Sequence, residues 1–194
     1  MNKLKIYTYL TLVLAIGLGI FLVSRIKYSI DEEARISKAE NLIIDNLKII
    51  RDAQITFQSV KGSYTSDWDS LINFVENGRI FIVQRREETV LLDYGAEETT
   101  LYLDTLGSIS VIDSVFSQYK SFNPSSMKFV PGYENVSFEM WAGQIEKGGV
   151  SVNVVEVRNP KPVDPDRKES NEANINKPLR FGSRTSITTA GNWE

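Results

Sequence analysis

Residues 6 to 23 form an unbroken apolar run, with Lys3 and Lys5 before it and Arg25 and Lys27 after it. A helix of about 18 such residues reaches across most of a hydrocarbon core, and the flanking basic side chains can extend to the headgroups. The sequence therefore predicts a membrane anchor over residues 1–28, with the lipid bilayer as its first partner. The competing reading is a cleaved secretory signal. Cleavage needs small residues at the exit, whereas this run leaves through Phe21, Leu22, Val23, Ser24 and Arg25, and the absence of cysteine removes a lipoprotein-type anchor. An uncleaved signal anchor is the expectation. Ala15 and Gly19 are spaced as small-xxx-small, a pattern that lets two helices approach closely and self-associate but is also common in lone spans.

Beyond the anchor about 170 residues remain, enough for one compact domain. The formal net charge is -3, with 22 basic and 25 acidic residues. No basic stripe appears, so a nucleic-acid partner is not expected. The chain has no histidine and no cysteine. The commonest general base, the commonest metal ligands and the thiol nucleophile are thereby missing, and neither an enzyme nor a cofactor is expected. The acidic pairs Glu87-Glu88 and Glu97-Glu98 would point to opposite faces of a strand. Ser126 beside Lys128 is too generic to define a Ser-Lys site.

Lysine and arginine counts on the two sides of the run are balanced, which leaves the positive-inside rule near a tie. The short basic amino-terminal tail and the acidic group Asp31, Glu32 and Glu33 on the far side favour a cytoplasmic amino terminus. In a bacterium the expected location is the inner membrane, single-pass, with the carboxy-terminal domain in the periplasm. A cytoplasmic domain is the other topology.

From residue 29 to 60 the period is helical. Ile36, Ala39, Ile43, Leu47, Ile50, Ala53, Phe57 and Val60 share one face, and Lys38, Asn41, Asp45, Lys48 and Asp52 the other. Packing on its own domain is expected, with a coiled-coil stalk as the alternative. Neither Gly nor Pro interrupts residues 20 to 61, so span and amphipathic helix form one rod. Gly62 supplies a stop. A short helix follows, capped by Ser66 or Asp67, with Trp68, Leu71, Ile72 and Val75 inward and Gly78 closing it. Residues 80–84, 89–93, 99–104 and 108–112 read as strands, with a hairpin turn at residues 104–107. Residues 115–134 read as a loop covering a core edge, and residues 136–142 and 150–157 as a strand pair around Lys147, Gly148 and Gly149.

At Arg158 the composition shifts to proline and polar residues, which predicts a flexible tail over 158–194. Leu179, Phe181, Ile187 and Trp193 recur in it. Leu179, Phe181 and Trp193 are candidate anchors for a partner, and the alternative is that they fold back on their own domain.

Residues 51–64, carrying Phe57, Gly62 and Tyr64, followed by Ser66, Asp67, Trp68 and Leu71, resemble type IV pilins and pseudopilins. Members of that family often end a long helix on an aromatic, a Gly-x-Tyr turn and a short capped helix bearing a leucine. The resemblance covers residues 1 to about 115 at the level of element order. It implies an amino-terminal transmembrane helix continuing into a long amphipathic helix packed on an antiparallel sheet, an α+β class. The span has no acid where that family carries a glutamate, so the likeness extends to architecture and not to prepilin processing or filament assembly. Some pseudopilin-like proteins hold calcium in a carboxy-terminal loop, which directs attention to Asp164, Asp166 and Glu169 with Asn171 nearby, although acids in a Pro-rich tail commonly serve only as solvating charge.

These readings combine into a membrane anchor over 1–28, an α+β domain over 29–157 and a tail over 158–194. The expected role is a non-enzymatic structural or interaction subunit of a bacterial envelope assembly, such as a secretion, motility or pilus-like machine. Its expected partners are other envelope proteins and, through the amino-terminal helix, itself. The alternative is a membrane-anchored ligand-binding or sensing module in the periplasm, for which Tyr94, Tyr102, Tyr119, Tyr133 and Trp141 are the available pocket aromatics.

Overall fold

The computed structural model describes residues 3–91, 95, 97–119, 122–164 and 178–194. Its class is α+β: one long amino-terminal apolar helix, two further helices and two small antiparallel sheets.

Helix α1 runs without a break over Lys3–Lys61, 59 residues. Its first part is apolar on every side: Leu12 and Leu18 are each 55 % exposed and Val13 69 %. One helix near the amino terminus is thus long and apolar enough to cross a membrane. Its last part is amphipathic, with Ile43, Leu47, Ile50 and Ala53 fully buried at spacings of four and three. Between Val23 and Ile43 lie about 30 Å of largely exposed helix. Gly62 ends it in the left-handed region at φ 83° while donating its N–H to the Gln58 carbonyl at 2.8 Å.

Gln54 is fully buried on the core face, an unusual place for an amide. Its Nε2 donates to the Thr65 carbonyl at 2.7 Å and its Oε1 accepts from the Thr65 N–H at 3.2 Å. The side chain thus satisfies both backbone groups of one turn residue and fixes the reversal after α1. Replacing it with leucine of similar size is expected to cost about 1–3 kcal/mol, because the two Thr65 groups lose their partners. Denaturant titration of the solubilised protein checks this, and an unchanged midpoint would mean that water replaces the amide.

Helix α2 spans Trp68–Asn77, and Asp67 rather than Ser66 caps it, accepting the Ser70 N–H at 2.8 Å. Leu71, Ile72, Phe74 and Val75 are buried, and Phe74 meets Phe57 of α1 edge-to-face at 5.1 Å.

Strands β1 (Arg79–Leu91) and β2 (Glu97–Ser110) pair antiparallel as a two-stranded ribbon. Two long strands therefore replace the four short ones expected. No turn occurs at residues 104–107. Ile82 faces Gly107 and Val83 faces Thr105, so Leu106 is an extra residue accommodated as a bulge. The reversal falls between Leu91 and Glu97, and Ile112 belongs to helix α3, Val111–Val115. Val111 donates its N–H to the Gly78 carbonyl at 3.0 Å, clamping the two feet of the ribbon to each other.

The second sheet has the order β3-β4-β5, with β3 at Glu139–Lys147, β4 at Val150–Arg158 and β5 at Arg180–Gly182. Gly148 and Gly149 turn the β3–β4 hairpin with φ of 61° and 78°. Val155 and Val157 of β4 and Phe181 of β5 join the same core as Ile43, Leu47 and Leu71, which Phe116, Met127, Val130 and Phe138 complete from the intervening segment. The tail thus needs a correction over 178–194. Strand β5 pairs with β4 through Glu156–Gly182, Val157–Phe181 and Arg158–Arg180, so this stretch is part of the domain. Residues 165–177 of the expected tail lie outside the described residues.

Candidate interaction surface

The surfaces of the described residues divide into the apolar span of α1, a carboxy-terminal strap over residues 178–194 and the β1–β2 ribbon. Along the span, a Cβ added at Gly19 would meet nothing within 4 Å. The Ala15 and Gly19 face is therefore exposed.

The strap brings Leu179, Phe181 and Trp193 together against the domain core. Leu179 is 2 % and Phe181 0 % exposed, so both serve their own core and are not free anchors for a partner. The physical reason is backbone pairing. Asn159 donates its N–H to the Leu179 carbonyl at 2.8 Å, Asn192 to that of Arg180 at 3.0 Å, and Gly182 to that of Ala190 at 3.0 Å. Those bonds draw the apolar side chains inward. The strap ends on an ion pair between Arg51 Nη1 and Glu194 Oε1 at 2.6 Å. The Arg51 hydrogen bond holds the Glu194 carboxyl below its ordinary range.

Near the same side of α1, Asp52 is pushed up by burial, against the pull of Arg51 and a hydrogen bond from Tyr119. The Tyr119 hydroxyl is raised by burial and then by the Asp52 charge. Its ring packs with Phe116 at 6.2 Å and Phe122 at 6.3 Å, so a cluster of rings and one carboxylate seals the edge of the core.

The pocket aromatics occupy separate elements. Tyr102 lies on the ribbon with Arg86 5.4 Å from its ring centre, and Trp141 lies on β3 with Arg184 at 5.5 Å. Tyr119 follows α3, Tyr133 precedes β3 and packs on the core, and Tyr94 lies outside the described residues. Glu87 faces Leu101 and Glu88 faces Thr100 on opposite sides of the ribbon. Ser126 Oγ donates to the Asn123 carbonyl at 2.7 Å while Lys128 sits over the Phe129 ring at 5.2 Å, so these two turn to different partners. Among the described residues no group of three or more acidic side chains is placed to hold a metal ion. Asp166, Glu169 and Asn171 lie outside them.

The ribbon was not singled out by the sequence reading, and outside the span it is the longest continuous stretch of exposed residues among those described. From Phe81 to Leu91 and from Glu97 to Gly107 every residue is exposed, including Phe81 at 61 %, Leu103 at 63 % and Leu106 at 64 %. A soluble monomer rarely leaves so many large apolar side chains on one projection. The sequence runs apolar from Ile80 to Val83 and charged from Arg85 to Glu88, with no strict alternation, so it does not show that the strand pair lies uncovered.

No family model matches the chain, and no match is found among curated proteins or solved structures.

Proposed function

We propose that this protein is a non-enzymatic, single-pass subunit of a bacterial envelope assembly, anchored in the inner membrane with its α+β domain on the periplasmic side. The architecture is pilin-like in that one helix serves both as span and as core element. A single observation carries the reading: α1 passes uninterrupted from an all-apolar surface into a buried stripe ending at Ala53, so the anchor is built into the domain. Such an attachment suits a scaffold subunit, because a continuous helix fixes the domain relative to the span where a loose linker would not. The exposed ribbon supplies a surface for lateral contact.

The test is to solubilise native membranes in mild detergent and separate them on a native gel, with a phosphatase fusion after Glu194 reporting the side. The expected result is active phosphatase and a complex well above the 21.9 kDa of one chain plus its micelle. Migration as a lone chain, with no neighbour captured by crosslinking, would remove the assembly role. Thermal stabilisation by a small soluble ligand would favour the sensing module instead.

A further inference from the structure

Among the described residues the β1–β2 ribbon has no third strand, which leaves both its edges uncovered. A lone two-stranded ribbon is marginal in water, and a long uncovered edge is a template for another strand. Along any edge the N–H and C=O groups of alternate residues point outward. Two copies of one edge therefore align antiparallel only in registers that pair residues an even number of positions apart, related by a two-fold axis perpendicular to the sheet.

The β1 edge resists this pairing. Its middle reads Arg85, Arg86, Glu87, Glu88, so every register centred there sets one charge against its own copy on the axis. The β2 edge favours it. With Tyr102 on the axis, Leu101 faces Leu103 of the second copy, Thr99 faces Thr105 and Thr100 faces Asp104, and no like charges meet. Centring on Leu101 sets Glu98 against Asp104. Centring on Leu103 leaves one leucine pair, Leu103 with its own copy, in place of two, and sets Leu101 against Thr105.

The faces agree with that register. Leu101 and Leu103 share one face, opposite Glu87 and Arg85 of β1, so four leucines would meet between an acid and a base from each copy. Tyr102 lies on the other face beside Arg86. We propose that β2 strands of two copies of this chain pair antiparallel across Tyr102, fusing two ribbons into one four-stranded sheet. This goes beyond the subunit reading and stands on the ribbon alone.

The chain contains no cysteine, so single cysteines report without background. Opposed residues of an antiparallel pair lie about 4.5–5.5 Å apart, within disulfide reach. In the full chain in native membranes, Y102C is expected to form a covalent dimer under mild oxidation, and R86C on the far strand to remain single. Adding L101K to Y102C should lower the dimer fraction about tenfold. Adding L103E to that variant should restore it, because position 101 of one copy faces 103 of the other. Y102C that stays single overturns the pairing, as does equal crosslinking of R86C, a ladder of higher species, or failure of L103E to restore. An assembly on the native gel without the Y102C dimer leaves the subunit reading standing, and a dimer without any larger assembly removes that reading while the pairing stands.

Discussion

Replacing Phe181 with alanine is expected to destabilise the domain by about 3–5 kcal/mol, a large share of what a domain of this size possesses. The ring is fully buried among residues contributed by α1, α2 and β4, and nothing in a three-residue strand can collapse to fill the void. Its backbone also ties β5 to β4 at Val157 and bridges to Gly191. Losing the ring therefore loosens the whole strap. Thermal melting of the solubilised full chain is the measurement, with Ile187→Ala as a comparison, since Ile187 is 48 % exposed and should shift stability by less than about 0.5 kcal/mol. Equal melting of the two variants would show that residues 178–194 are not docked.

Placing two charges in the span is expected to have the largest effect. Leu14 and Leu18 lie one helical turn apart on one face and are 64 % and 55 % exposed. Each arginine at the centre of a spanning helix costs about 2.5–3.5 kcal/mol, so L14R/L18R together remove about 5–7 kcal/mol of insertion free energy. Membrane fractionation with alkaline extraction should move the variant from pellet to supernatant or abolish its accumulation. Full retention in the pellet would mean that some other part of the chain holds the bilayer.

What the sequence made legible was governed by local rules. The α1 stripe, the Asp67 cap, the Gly62 stop and the Gly148-Gly149 turn each follow from spacing or backbone freedom within one or two turns of chain. What it concealed depended on distant partners. Gly107 looks like a turn residue, and only the pairing of Ile82 and Val83 across it shows that Leu106 is absorbed as a bulge. Arg85 to Glu88 looks like a link between strands, yet a ribbon exposed on both faces makes four charges compatible with a strand. The strap was hardest to see, because β5 has three residues and its partner β4 precedes a proline-rich segment. The role of Gln54 is hidden for the same reason: its partner is the Thr65 backbone, which the helical period does not register. For the interaction surface, apolar residues in the ribbon were visible, but their lack of cover was not.

The unbroken backbone of α1 has a mechanical corollary. At 59 residues it is a rod about 90 Å long, with every interior carbonyl bonded along its axis and no proline to act as a joint. In the membrane-anchored state proposed above, force applied to the domain is not absorbed at a swivel above the bilayer. It arrives in the lipid as a change in lean or twist of the span, and a shift in lipid packing arrives at Ile43 and Leu47 as a torque on the core. In that state the helix would act as a lever with its fulcrum at the membrane surface.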